Sequence, residues 1–231
     1  MGRPKPLSEH EWEACTYPGT LLPHLRKASA RKLRLFVCAC CRRIWNLLFD
    51  ERSKCVIDAA EAWADGRLSA TALKTIQLAG CLADKPTAFD RTQLNRVTIP
   101  KEYRDDGRHY YAARAARSAG ILRKSFVVNT AWAAANASLY QEEEQREQAI
   151  LIREIFGNPF LPQSFSPAWR TEHTTGIAAK MYDDRDFAAM SILADALEEA
   201  GCDSAEMLSH CREPGVHVRG CWAVDLVLGK A

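Results

Sequence analysis

The chain has 231 residues, 47% of them hydrophobic and 26% charged, and its 31 basic and 29 acidic side chains leave a net charge of +2. That length supports one large domain or two small ones around a real core, and the composition excludes a disordered or fibrous chain. A sequence pI of about 8.1 lies below the range of a dedicated nucleic-acid-binding domain.

Ser8 followed by Glu11 is a capping box that predicts a short helix from about Glu9 to Cys15. After a turn at Tyr17-Pro18-Gly19, Leu21 to Arg26 predicts another short helix, and Ser29 is the expected N-cap of the next. In Leu33 to Phe49 (LRLFVCACCRRIWNLLF), apolar residues recur at Leu33, Val37, Cys40, Ile44 and Leu47. A second apolar line runs through Cys38, Cys41, Trp45 and Leu48, so this helix is apolar nearly all round and belongs inside a core. Arg42 and Arg43 in mid-run argue against a membrane span.

Asp50 is expected to end that helix and cap the next, Glu51 to Asp65, which Gly66 stops; Ser69 starts another that lasts to about Ala83. Residues 85–106 read as a long connection with a basic tint. An alanine-rich helix then runs from about Arg108 to Ser118, closed by Gly120. Ser125 to Tyr140 and Glu142 to Phe156 predict two helices or one bent one, with Glu142, Glu143 and Glu144 at the second start, where the dipole favours them. The run Gly157 to Pro162 and the turn at Ser166-Pro167 mark a break over 157–170. Beyond it, helices are expected at Thr175 to Asp183, at Phe187 to Ala200, from an Asp203/Glu206 capping box to Cys211, and at Cys221 to Leu228. No stretch alternates with period two long enough for a strand.

The N-terminus has no apolar h-region, and Pro6 stands where a myristoylation signal needs Ser or Thr, so a cytoplasmic chain is expected. Nine cysteines in that setting read as reduced thiols used as small hydrophobes.

Reactive side chains are densest in SHCREPGVHVRGCW, residues 209–222. His210, Cys211, His217 and Cys221 are the candidate zinc ligands, since zinc takes imidazole nitrogen and thiolate sulfur. Their spacing includes no CxxC or HxxxH pair, and burial of the cysteines with the histidines at the surface is the simpler arrangement. The same loop admits an anion or phosphate site from Arg212, His217 and Arg219 ahead of a helix N-terminus; the alternative is two arginines solvated or paired with the acidic 183–206 segment. The usual enzyme templates (a phosphate loop, a dinucleotide fingerprint, a GxSxG elbow, HExxH) are missing.

Charge is unevenly placed. Residues 1–55 hold eleven Lys/Arg against five Asp/Glu, residues 91–124 nine against three, and residues 183–206 one against eight. Segments 26–54 and 91–124, the latter with interleaved tyrosines, therefore offer a nucleic-acid reading, against which Arg114 and Arg117 are simply the wet side of an alanine-rich helix. Trp169, in the irregular segment, is expected to be part-exposed and to mark a contact surface.

Three blocks, EWEACTYPGTLLPHLRKASARKLRLFVCACCRRIW, IREIFGNPF with the later PAW, and LADALEEAGC leading to SHCREPGVHVRGCWAVDLVLGK, resemble in their order a family of uncharacterised bacterial proteins. The resemblance spans nearly the whole chain. It implies one bacterial, cytosolic unit and carries no activity or site residue with it.

The expected fold is all-α, an irregular multi-helix bundle around a buried central helix at about 33–49. Residues 1–156 would form the main helical core, 157–170 an irregular connector, and 171–231 a smaller C-terminal helical part packed on the core as one unit. The expected function is a non-enzymatic protein-interaction or regulatory module, with Trp169, Arg114 and Arg117 on its interaction surface and another protein as partner. The alternatives are a zinc or anion site at 210–221 supporting catalysis or sensing, and nucleic-acid binding. No cofactor is expected; zinc belongs to the alternative reading at 210–221.

Overall fold

The computed structural model describes residues 6–25, 28–84, 107–121, 126–161 and 164–230, so the expected connection at 85–106 lies outside the described residues. Among these the chain is all-α: twelve α-helices and no strand. It divides into two compact units, Met1–Ala149 and Ile150–Ala231, so the division falls within one helix and ahead of the 157–170 segment. No described helix is long and apolar enough to cross a membrane.

The first unit contains α1 (Glu9–Ala14), α2 (Pro18–Leu21), α3 (Ala30–Arg43), α4 (Glu51–Ala64), α5 (Ala70–Asp84), α6 (Arg108–Ala119), α7 (Phe126–Ala137) and most of α8 (Gln141–Phe156). The capping box at Ser8 and Glu11 is formed, and Ser29 caps α3 by accepting from the Lys32 amide. Every residue of α3 from Leu33 to Cys41 is buried, against α4, α6 and α7. The central helix is shorter than its apolar rhythm suggests. It stops at Arg43, and a 3-10 turn, Trp45–Leu47, carries the pattern on to buried Leu47 and Leu48. Such a tightened last turn satisfies carbonyls that an abrupt end would orphan. Asp50 then caps α4, accepting from the Arg52 amide.

Each arginine at the end of α3 meets a nearly buried carboxylate. Arg42 pairs with Glu61 at 3.0 Å and with Asp58, and its guanidinium lies 4.1 Å from the Trp45 ring. Arg43 pairs with Glu144 and Glu147, both at 3.0 Å. Burial nevertheless pushes the Glu144 carboxyl above its ordinary range. Helices α6 and α7 meet through buried alanines, among them Ala112, Ala115, Ala116, Ala131 and Ala134. Gly80 and Gly120 both face Val56, where an added Cβ would collide with its methyl groups, so these two glycines let α5 and the end of α6 close onto α4.

The second unit comprises the end of α8 with α9 (Glu172–Asp184), α10 (Met190–Glu199), α11 (Ala205–Arg212) and α12 (Trp222–Leu228). Its core gathers Met181, Tyr182, Leu193, Leu197, Met207 and Trp222. Trp169 belongs to this core and not to an exposed surface: it is 8% exposed, stacks edge-on with Phe165, and donates its indole N–H to the Gly201 carbonyl at 3.1 Å. The irregular backbone around it misleads, because a 3-10 turn (Pro167–Trp169) packs a large side chain as well as a helix does.

Two arginines, Arg219 buried and Arg170 exposed, close helix ends in this unit. Arg219 donates to the Tyr182 and Asp183 carbonyls at 2.7 and 3.0 Å, and Arg170 to those of Val227 and Leu226 at 2.9 and 2.7 Å. Arg219→Met keeps the stem and removes both charged donors, so urea unfolding should show a loss of about 2–3 kcal/mol. A change under about 0.5 kcal/mol would show that these carbonyls find other donors.

Candidate metal centre

Four side chains of the second unit meet at one point: Glu154 of α8, His210 of α11, His217 of the following loop, and Cys221 at the start of α12. Local sequence places each one. Glu154 falls on the buried face of α8 with Leu151 and Ile155. In α11, capped by Ser204, Met207 and Cys211 point into the core, which turns His210 toward the loop. Gly220 takes φ +94°, and the Cys221 amide donates to the Val218 carbonyl at 2.9 Å, so the chain doubles back just before the thiol. Arg219, bonded to the end of α9, fixes the same turn from the other side.

The four potential ligand atoms all lie within 4.8 Å of one another. His217 Nδ1 is 3.1 Å from Glu154 Oε1, His210 Nε2 is 3.4 Å from Glu154 Oε2, and His210 Nε2 is 3.3 Å from Cys221 Sγ. Ordinary zinc bond lengths put the ligand–ligand edges of a tetrahedral site at about 3.3–3.6 Å; these three separations lie close to that range, and they are also those of direct hydrogen bonds between the side chains. The site is enclosed: the Glu154, His217 and His210 side chains are 5%, 9% and 20% exposed, and Cys221 is buried. The Trp222 ring backs His210 at 5.0 Å between centroids.

Burial pulls the His210 imidazole below its ordinary value despite the nearby Glu154. The same burial, reinforced by Glu154, pushes the Cys221 thiol well above its own. A neutral imidazole is the form that coordinates a metal, whereas the thiol must give up its proton to do so. One carboxylate, one thiolate and two neutral imidazoles would carry two negative charges, matching a divalent cation in a place where an unbalanced charge is costly.

Of the four residues singled out in the sequence, the structure brings together His210, His217 and Cys221. Cys211 stands apart in the core, 2% exposed, its thiol pushed by burial up to about 12. Glu154, some sixty residues earlier, takes the fourth place. Its only sequence signal is phase, a carboxylate on the face of α8 that otherwise carries Leu151 and Ile155.

Arg212, His217 and Arg219 do not converge on an anion. Arg212 pairs with Asp195 and Glu198 of the acidic segment, Arg219 caps α9, and His217 faces Glu154. In the first unit Arg114 is half-buried beside Trp132, while Arg117 is half-buried with its carbonyl accepting from Gln77. Comparison of the chain with protein-family models, with curated proteins and with solved structures gives no match.

Proposed function

We propose that the second unit is a zinc-held helical module in which Glu154, His210, His217 and Cys221 bind one metal ion as a closed, four-ligand structural site. The observation that carries this reading is the convergence of four ligand-type atoms, all within 4.8 Å of one another, from three helices and a loop. With four protein ligands the ion keeps no position for water or substrate, which favours a structural or sensing role over hydrolysis. The metal would tie the end of α8 to the α11–α12 segment, giving a rigid platform for the protein-interaction role that the uneven charge suggests.

Metal analysis of the full chain tests this. About one equivalent of zinc is expected after purification without chelator, and cobalt substitution should give the intense visible bands of a tetrahedral site with a thiolate ligand. Cys221→Ser and His217→Ala should each lower metal affinity at least about tenfold, and Cys211→Ala should leave it unchanged. Less than about a tenth of an equivalent, with no tetrahedral cobalt spectrum, would refute the proposal.

A further inference from the structure

We infer that the first unit carries a binding site for a small organic carboxylate with an aromatic or aliphatic body. A cavity of about 370 Å³ opens beside the α2 turn and helices α6, α7 and α8. That volume lies within the range of small-ligand sites. Its walls include Tyr17, Leu22, Val128 and Trp132, and three of these stay unusually open to water: Tyr17 is 52%, Val128 51% and Trp132 44% exposed. Apolar surface gathered in a concavity is what an apolar ligand body covers.

The charge in this cavity is one-sided. Among the described residues that line it, Arg114 is the one charged side chain; the other polar side-chain groups are the neutral amides of Asn129, Gln145 and Gln148, the Tyr17 hydroxyl and the Trp132 indole N–H. Arg31, Arg42, Arg43 and Arg52 of the same unit each hold a carboxylate. Arg114 has no hydrogen bond or ion pair among the described residues; its guanidinium rests 5.2 Å from the centroid of the Trp132 ring. A half-buried guanidinium with its donors uncommitted among the described residues, set against a flat apolar wall, matches a carboxylate on an apolar body.

The aromatic walls are held in place. Trp132 meets Tyr111 edge-on, with centroids 5.6 Å apart and planes at 81°. The Tyr17 ring folds back over Gly19, where an added Cβ would lie 2.5 Å from its Cε1, so the glycine lets the ring sit close at the cavity rim. The planar fork of Arg114 favours a carboxylate, and the apolar walls favour an acid with a hydrocarbon body over inorganic phosphate.

The test uses the full-length ¹⁵N-labelled chain titrated with 3-phenylpropionate, its neutral amide, and inorganic phosphate, following the Trp132 indole signal assigned from Trp132→Phe. Saturable binding of the acid is expected, at least about tenfold tighter than the amide and than phosphate. Arg114→Gln should weaken the acid at least about tenfold and bring it level with the amide, while Arg114→Lys falls between. Val128→Glu, at an exposed wall position, should abolish acid binding and spare that of the amide. Equal binding of acid and amide, undiminished binding by Arg114→Gln, or no saturation by about 10 mM would overturn the inference.

Discussion

Stripping the metal from the second unit is expected to lower its melting temperature by roughly 15 °C or more. A ligand that binds only the folded state stabilises it by about 4 kcal/mol at a thousandfold excess over its dissociation constant. In a unit of this size each kcal/mol moves the midpoint by roughly 4–8 °C. Calorimetry of the full chain with zinc and with a chelator reads the shift, and native-state hydrogen exchange locates it. Amides of α11 and α12 should lose protection, because His210, His217 and Cys221 all lie in or between those helices. Superimposable melting curves would show that the cluster is held by its own hydrogen bonds alone.

The acid side of the same prediction has a definite sign. Burial holds the His210 imidazole below its ordinary value. At pH above about 6.5 the imidazole is neutral in both folded and unfolded chains and contributes no pH dependence. As pH falls through that value the unfolded chain takes up the proton first, so stability drops. The Cys221 thiol, raised by burial, keeps its proton until a metal displaces it. Zinc binding near neutral pH should therefore release about one proton and tighten as pH rises, which titration calorimetry in buffers of different ionisation enthalpy would measure.

Much of the helical layout was legible because local signals act over one turn. The Ser8/Glu11 box, the Ser29 and Asp50 caps, and the start of α8 ahead of Glu142 stand where the sequence implies. The misses are local competitions between equivalent signals. α11 is capped by Ser204, not Asp203, and α9 begins at Glu172 under a Thr171/Thr174 box, three residues ahead of the expected start at Thr175. α10 starts at Met190, after a turn through Phe187. Residues brought together by long-range folding were harder to see. Nothing near Glu154 or Glu144 in sequence says that one meets two histidines and the other an arginine a hundred residues away. The local density of His210, Cys211, His217 and Cys221 marked a cluster, but helix phase separates Cys211 from the other three. Cys211, next to His210 on α11, sits about 100° around the helix axis, and that direction is the core.

Phe36→Ala should cost the first unit about 3–5 kcal/mol, by denaturant unfolding. The side chain is 0% exposed, midway along the run from Leu33 to Cys41, and α4, α6 and α7 enclose that helix. Deleting the ring loses its transfer free energy and leaves a cavity, because helices already in contact through alanine have few side-chain atoms with which to refill the space. Cys40→Ser, at another 0% exposed position one turn on, should cost less, about 1–2 kcal/mol. The hydroxyl is poorly placed among hydrocarbon but can turn back to the carbonyl one turn earlier in the helix. That order, phenyl before thiol, follows if the sulfur atoms of α3 act as space-filling apolar groups. A larger loss at Cys40 than at Phe36 would instead mean that the thiol makes an interaction of its own, and would move the organising role of α3 from packing to chemistry.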